Sequence, residues 1–342
     1  MKCIKEYTEL LRAGEWIDSK LSYYVVSVAL LILGSKLSLD NRDILFMSAN
    51  ALFYASYLGC SYMINDIADR TVDLQAGKKK LITKYSSLSL TIIFTATFLS
   101  GLFVISFAEY VLGKFSLPSL AVLIIIYYLG FSYSIRPFRF KERGLPGTVF
   151  CSFAQRTLPL FLTVMVYNVN FTLAVILLLQ SFFIGMRYIL IHQLIDRSND
   201  LKTGVKTFST EHPAFSRNLI YGNILAEIAL IILLNRHIFS IGQLFAASCL
   251  SVINVLYFAL LIIYIRAVRF MLNENVFETF SFVPFEDYYN IIFPLWLCLC
   301  FLSFNTWLIV AAAAILLIQR RMLSVRCEFL FLFGKSTLIR KS

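Results

Sequence analysis

Apolar residues run along this chain in long blocks, not at the alternating or 3.6-residue spacing of half-buried elements. Nine blocks stand out: Leu21–Ser35, Ile44–Ile64, Tyr85–Ala108, Phe115–Ile135, Leu145–Gln155 continuing past Arg156 to Tyr167, Phe171–Met186 continuing to Ile191, Asn218–Asn235 interrupted by Glu227, Ile238–Ile265 and Tyr288–Gln319. A helix crosses a bilayer with about 20 mostly apolar residues, and in lipid a helix satisfies its own backbone polar groups. The blocks therefore predict nine membrane-crossing helices. The first is short, and the last, with 32 residues, is long for one crossing and has a break near Ser303–Asn305.

Composition agrees. Of 342 residues, 59% are apolar and 15% charged, whereas soluble domains carry about a quarter charged residues. A soluble core of this size has no room for that much apolar surface, so the chain reads as an integral membrane protein. A soluble enzyme, a secreted disulfide scaffold and a disordered chain are excluded. The net charge of +11 does not indicate nucleic acid, because the basic residues fall in short clusters between apolar blocks. Seven cysteines show no metal-ligand spacing and read as packing residues. The charged first twenty residues contain no signal-peptide core.

Charge also orients the chain. Nineteen lysines and arginines between Lys2 and Arg269 fall in one alternate set of loops, against four (Lys36, Arg42, Lys114, Arg236) in the other. Basic loops stay inside, which puts the N-terminus in the cytoplasm. The expected organisation is one membrane-embedded domain over residues 1–342, with 1–20 as a cytoplasmic segment and 320–342 as a basic tail. Nine crossings place that tail outside, against its six basic residues.

Two of the inner loops repeat. The second block ends in Asn65-Asp66-Ile67-Ala68-Asp69-Arg70-Thr71-Val72-Asp73-Leu74, and the sixth in His192-Gln193-Leu194-Ile195-Asp196-Arg197-Ser198-Asn199-Asp200-Leu201. Both contain Asp-Arg-(Thr/Ser)-x-Asp-Leu-x-x-Gly-x-Lys. Asn65, Asp69 and Asp73 recur every fourth residue, as do His192, Asp196 and Asp200, so each set shares one helix face. Carboxylates stacked one turn apart repel by about 0.2–0.5 kcal/mol per pair, and a divalent cation reverses that sign. Mg²⁺ favours carboxylate oxygens and is typically shared with substrate phosphates. Two such columns on one membrane face, with lysines beside them, describe a site for a magnesium-bridged diphosphate. Solvated helix ends also carry mixed charges, but they give no reason for two matching copies.

The pair Asn65-Asp66-x-x-Asp69-x-x-x-Asp73 and Asp196-x-x-x-Asp200 resembles the aspartate-rich motifs of the UbiA-type intramembrane prenyltransferases. The continuation Asp200-Leu201-Lys202-x-Gly204-x-Lys206-Thr207 is similar to that of quinone-pathway members, and Tyr133-Ser134-x-x-Pro137-x-Arg139-x-Lys141 resembles the loop after their fourth helix. The resemblance spans residues from about 10 to 320. It departs where Gly77-Lys78-Lys79-Lys80-Leu81 replaces the Arg-Pro that often follows the first motif, and where His192 stands in the place of Asn65. It implies an all-α bundle of nine transmembrane helices around a central cavity, and Mg²⁺-dependent prenyl transfer from a diphosphate to an acceptor, read here as small and aromatic, with a tetrapyrrole, a glycerol phosphate or a specialised metabolite as the alternatives. It further implies that Asn65, Asp66, Asp69 and Asp73 hold one Mg²⁺, and Asp196 with Asp200 a second. Arg70, Arg139, Lys141, Lys202 and Lys206 are the expected contacts to the diphosphate, and Tyr133 the aromatic partner of the allylic cation. His192 is a ligand, a base or a hydrogen-bonding neighbour of the site.

Three charges fall within apolar blocks, where they are costly and often functional. Arg156 and Arg187 read either as contacts to the diphosphate or an acceptor carboxylate, or as a buried pair of one of them with Glu227, with snorkelling to the boundary as a further reading of Arg187. The acidic stretch Glu274–Asp287 reads as a lid or a solvated face, the latter preferred. Two other activities share these features. One is transfer of phosphoribose or another group onto a prenyl phosphate. The other is ion-coupled transport, which places its carboxylates nearer the bilayer midplane.

Overall fold

The computed structural model describes residues 2–36, 38–75, 77, 80–272, 286–301, 309 and 312–319. All regular elements among them are helical. The chain divides into two compact units: Met1–Trp16 with Ser27–Leu234, and Ile17–Val26 with Asn235–Ser342.

The first unit carries α1 (Lys2–Leu10), α2 (Ala13–Trp16), most of α3 (Ser22–Ser35), α4 (Asn41–Ala68), α5 (Arg70–Gln75), α6 (Ser87–Val111), α7 (Leu117–Ser132), α8 (Gly144–Ser152), α9 (Leu158–Val166), α10 (Phe171–Thr203), α11 (Phe208–Glu211) and most of α12 (Pro213–Ser240). Side-chain oxygens start these helices where the first N–H groups lack partners. Asp40, Ser86, Ser116, Asn170 and Thr207 cap α4, α6, α7, α10 and α11. Six helical stretches are long and apolar enough to cross a membrane: Ala13–Ser35, Asn41–Ala68, Ser87–Val111, Gly144–Val166, Phe171–Lys202 and Pro213–Ser240. Leu117–Ser132, Leu244–Ala259 and Tyr288–Cys300 are apolar but shorter. Among the described residues six of the nine expected crossings are full-length spans, while the other three blocks form apolar helices shorter than a crossing calls for. The short first block gains its length from residues before it, through α2 and a π-helical turn at Ile17–Leu21.

Helix α4 is the packing centre of this unit. Lipid offers no hydrophobic drive between helices, so association relies on close approach and interhelical hydrogen bonds. At Gly101 on α6, an added Cβ would lie 2.4 Å from Tyr127 Oη and 2.5 Å from Ser56 Oγ. Ser56 Oγ donates to the Thr97 carbonyl at 2.5 Å, and Asn50 Nδ2 to Thr163 Oγ1 at 3.2 Å. The outward face of α6 is apolar and exposed, with Ile92, Leu99 and Phe103 each more than half exposed, as befits a lipid-facing surface. At the start of α4, buried Asp43 pairs with Lys36 and accepts from Tyr167 Oη at 2.9 Å.

The block around Arg156 forms α8 and α9 joined by a π-helical turn at Phe153–Thr157. Such turns leave carbonyls without helical partners. Here Tyr57 Oη donates to the Ala154 carbonyl at 2.9 Å and Tyr54 Oη to that of Gln155 at 3.1 Å. On α10, Arg187 is fully buried against Glu227 of α12, with Nε–Oε1 at 2.6 Å and Nη2–Oε2 at 3.1 Å.

In the second unit, α13 (Leu244–Leu272) and α14 (Phe293–Phe301) frame an aromatic cluster of Tyr23, Tyr288, Tyr289, Phe293 and Trp296. Trp296 Nε1 donates to the Ala246 carbonyl at 3.0 Å. Glu286 does not lie on a solvated face: it is buried and accepts from Asn290 Nδ2 at 3.1 Å, because the chain has re-entered a helix there. Glu274, Glu278, the Ser303–Asn305 break and the tail after Gln319 lie outside the described residues. The cysteines Cys60, Cys151, Cys298 and Cys300 are buried free thiols.

The Arg187–Glu227 pair yields a stability prediction. Removing one member strands a buried charge, at a cost of about 3–5 kcal/mol. Glu227→Ala is expected to lower the unfolding temperature of detergent-purified protein sharply, while Arg187→Met with Glu227→Leu recovers most of the loss. Equal losses in the single and double variants would contradict this.

Candidate functional site

The last turns of α4 carry the first motif. The helix caps at Asp69 and resumes as α5, yet the helical spacing survives the junction: Asp69 N donates to the Asn65 carbonyl at 3.0 Å and Asp73 N to that of Asp69 at 2.8 Å. The second motif lies within the unbroken helix α10, which ends at Gly204 in left-handed conformation (φ 71°).

Each carboxylate of the first motif is met by cations from another part of the chain. Lys80 Nζ lies 2.6 Å from Asp66 Oδ1 and 2.6 Å from Asp73 Oδ2. Arg12 Nη1 lies 3.2 Å from Asp66 Oδ1. Asp69 is held by Lys141, whose Nζ also lies 3.5 Å from Asn65 Oδ1, and by Arg139 Nη2 at 3.3 Å. Ser134 Oγ donates to Asn65 Oδ1 at 2.9 Å. The loop after α7 is thus seated on the first motif.

Burial pulls the Lys141 ammonium below its ordinary value in spite of Asp69, and Arg139 pulls the same way. At Lys80 the hydrogen bonds and charges of Asp66 and Asp73 outweigh burial and hold the ammonium above its ordinary value. Tyr133 caps α7 beside Ser134, and its carbonyl accepts from Lys141 N at 3.1 Å.

The other expected residues are spread more widely. His192 is exposed, its Nε2 3.3 Å from Asp196 Oδ2. Lys202 and Lys206 are exposed at the end of α10 and beyond it. Arg70 donates to the Thr83 carbonyl at 3.4 Å, pointing to its own connecting loop. Of the readings of Arg187, the structure displays the pair with Glu227. Arg187 lies nine residues before Asp196, about 13 Å along the helix. Arg156 lies over the Tyr188 ring at 4.3 Å. The buried pair is thus Arg187–Glu227, and Arg156 is held by cation–π contact.

Sequence reasoning missed Arg12, Lys80 and Ser134 as members of this cluster. Ser134 neighbours Tyr133 in the motif, and Lys80 closes a lysine run seven residues beyond Asp73. Arg12 lies 54 positions from Asp66 and carries no local signal. It adopts a left-handed backbone (φ 51°), its guanidinium donates to Glu15 at 2.7 and 2.6 Å, and it stacks 5.0 Å from the Tyr62 ring.

Among the described residues no three His, Cys, Asp or Glu side chains converge closely enough to hold a metal as they stand. The donor set nonetheless fits a hard divalent ion. It consists of carboxylate and amide oxygens, and the Lys80 ammonium bridges two of the carboxylates as a stand-in cation.

The sequence model of the UbiA prenyltransferase family matches residues 23–283. No curated protein matches the chain. Among solved structures, the fold is similar to that of a UbiA homolog from Archaeoglobus fulgidus bound to GPP and Mg²⁺, with TM-score 0.60 and 17% identity over 88% of this chain and 99% of that one. The same homolog bound to DMAPP and Mg²⁺ superposes with TM-score 0.60 at 17% identity, again over 88% and 99%. A digeranylgeranylglyceryl phosphate synthase is similar with TM-score 0.56 and 17% identity, over 89% of this chain and 98% of that one. At this identity the likeness establishes the fold.

Gly147 tests how the basic loop is seated. A Cβ there would lie 1.8 Å from the carbonyl oxygen of Phe140, the residue before Lys141. Gly147→Ala is expected to displace the loop, at a cost of about 1–3 kcal/mol, and to expose buried Lys141 to amine-directed labelling. Unchanged labelling of Lys141 would show that the loop is held without that approach.

Proposed function

The chain belongs to the UbiA prenyltransferase family and is an integral, multi-pass membrane protein; on that premise we propose that it transfers a prenyl group from a prenyl diphosphate to a small aromatic acceptor, in a Mg²⁺-dependent reaction. The observation that carries this reading is the cluster of Arg12, Lys80, Arg139 and Lys141 gathered on the carboxylates of the first aspartate motif, a set of charges that fits a metal-bound polyanion. The resemblance of the second motif to quinone-pathway members supports an aromatic acceptor. The excess of basic loops on the motif-bearing side supports a cytoplasmic active site.

In this proposal Asn65, Asp66, Asp69 and Asp73 hold one Mg²⁺, and Asp196 with Asp200 another. Bound there, the ions supply Lewis-acid stabilisation of the charge that grows on the departing diphosphate. Arg139 and Lys141 turn from Asp69 to the diphosphate oxygens, where charge-assisted hydrogen bonds are strongest. Arg70, Lys202 and Lys206 add positive potential at the rim. Tyr133 presents its ring to the allylic carbon as the C–O bond breaks, a cation–π contact of about 0.5–2 kcal/mol. The acceptor carbon forms the new bond, and its proton passes to a motif carboxylate or to the released pyrophosphate. Arg156 and the Arg187–Glu227 pair hold the helices that carry the site.

Purified protein with Mg²⁺, radiolabelled prenyl diphosphates of several lengths and a panel of aromatic acceptors tests the proposal. Label is expected to move to one acceptor, and Asp69→Ala and Asp196→Ala to reduce the rate on the order of 10²-fold or more. EDTA should abolish it. Folded protein that neither binds the diphosphate with Mg²⁺ nor transfers the label would refute the reading.

A further inference from the structure

The first motif already contains a cation where its reading calls for a metal. Lys80 Nζ sits 2.6 Å from an oxygen of Asp66 and 2.6 Å from an oxygen of Asp73, two residues seven positions apart on either side of the junction between α4 and α5. Asp66 and Asp73 are largely withdrawn from solvent, with side-chain exposures of 7% and 14%. Without a cation between them, two carboxylates in that setting repel strongly, since charge interactions grow several-fold as the effective dielectric falls.

We propose that Lys80 is a built-in counter-cation of the first aspartate motif: it holds Asp66 and Asp73 together in the metal-free protein and yields them when a divalent ion binds. The inference rests on the metal-site reading above.

Two features make Lys80, rather than Arg12, the group that leaves. Arg12 is fixed on several sides: Glu15 engages its guanidinium twice, Tyr62 lies beneath it, and Leu10 and Leu11 anchor its segment in a buried cluster with Met63 and Ile82. The Lys80 ammonium has a long flexible stem, and its side chain is 27% exposed. It also has a place to go. A cavity of about 390 Å³ opens beside it, lined by Glu9, Arg12, Glu15 and Asp66 among others. There an ammonium keeps acidic neighbours after giving up Asp73. Arg12 stays on Asp66 Oδ1, so that carboxylate keeps its orientation during the exchange. The fixed backbone next to Lys80 confines the movement to the side chain: Thr83 Oγ1 donates to the Lys80 carbonyl at 2.8 Å, and Ile82 is buried in the cluster below.

The test is direct metal binding, independent of turnover. Full-length protein in detergent is titrated with Mn²⁺ alone, and free Mn²⁺ is read by electron paramagnetic resonance. Lys80→Met is expected to bind Mn²⁺ at least about tenfold more tightly than the wild type, because a positive charge adjacent to the ion has gone. Lys80→Arg should stay near the wild-type affinity, and Lys36→Met, a lysine paired with Asp43 at the other end of α4, should leave it unchanged. Damage to the fold does not raise metal affinity, so the gain is specific to charge competition. Unchanged or weaker binding by Lys80→Met, with binding still lost in Asp69→Asn, overturns the role of Lys80 and leaves the metal site standing. An equal gain in Lys36→Met overturns it as a general charge effect. No Mn²⁺ binding by any form overturns both this inference and the metal-site reading. In the wild type, amine labelling resolved by peptide mass should rise at Lys80 when Mg²⁺ is added, and a constant level would likewise overturn the proposal.

Discussion

Three carboxylates within eight residues, at the end of a helix that emerges from an apolar medium, cannot be left to repel one another. Asp66, Asp69 and Asp73 therefore dictate much of what surrounds the end of α4. Each recruits positive charge from a separate stretch of chain: Arg12 from the segment after α1, Lys80 from the turn after α5, and Arg139 with Lys141 from the loop after α7. Satisfying the charges draws these segments together, and the same convergence gathers cations around the motif's oxygens. Folding and binding here use one electrostatic currency. The side chains that neutralise the motif in the resting protein are the ones a metal-bound diphosphate would engage or replace.

The helix bearing that motif is also the centre of packing. In lipid, close approach and hydrogen bonds hold helices together, and α4 supplies both, through Ser56 against Gly101 and Thr97, and through Tyr54 and Tyr57 against the π-helical turn between α8 and α9. Those two hydroxyls satisfy carbonyls that the widened turn releases, and the turn in its place carries Arg156 to the Tyr188 ring. Deeper charge is handled by pairing: Arg187 and Glu227 are buried only because each is the other's partner. A rigid helix, held along its length by polar contacts, is a firm base for a motif whose charges must be aimed within tenths of an ångström.

Family membership and a fold shared at 17% identity with the Archaeoglobus fulgidus homolog are consistent with this division of labour. Apolar lining and lipid-facing positions tolerate wide exchange among hydrophobic residues of similar volume. What must persist is the placement of a few oxygens and cations at one end of the bundle, and the close approaches that fix the helices carrying them.

The apolar blocks by themselves announced the helices, because a bilayer demands long runs that no soluble core requires. The four-residue recurrence of Asn65, Asp69 and Asp73, and of Asp196 and Asp200, announced the carboxylate faces, because helical geometry converts spacing directly into adjacency. The motif around Tyr133–Lys141 was legible through resemblance, and the structure seats it on Asn65 and Asp69. Three matters were decided only by tertiary structure. Arg12 meets Asp66 across 54 residues, Arg187 takes Glu227 in place of a ligand, and Lys80 bridges Asp66 and Asp73. Periodicity describes neighbours on one helix, but says nothing of which distant charge will arrive beside them. That choice belongs to the packing, where leaving a buried carboxylate without a cation costs more than bending a flexible side chain, or a left-handed turn at Arg12, to reach it.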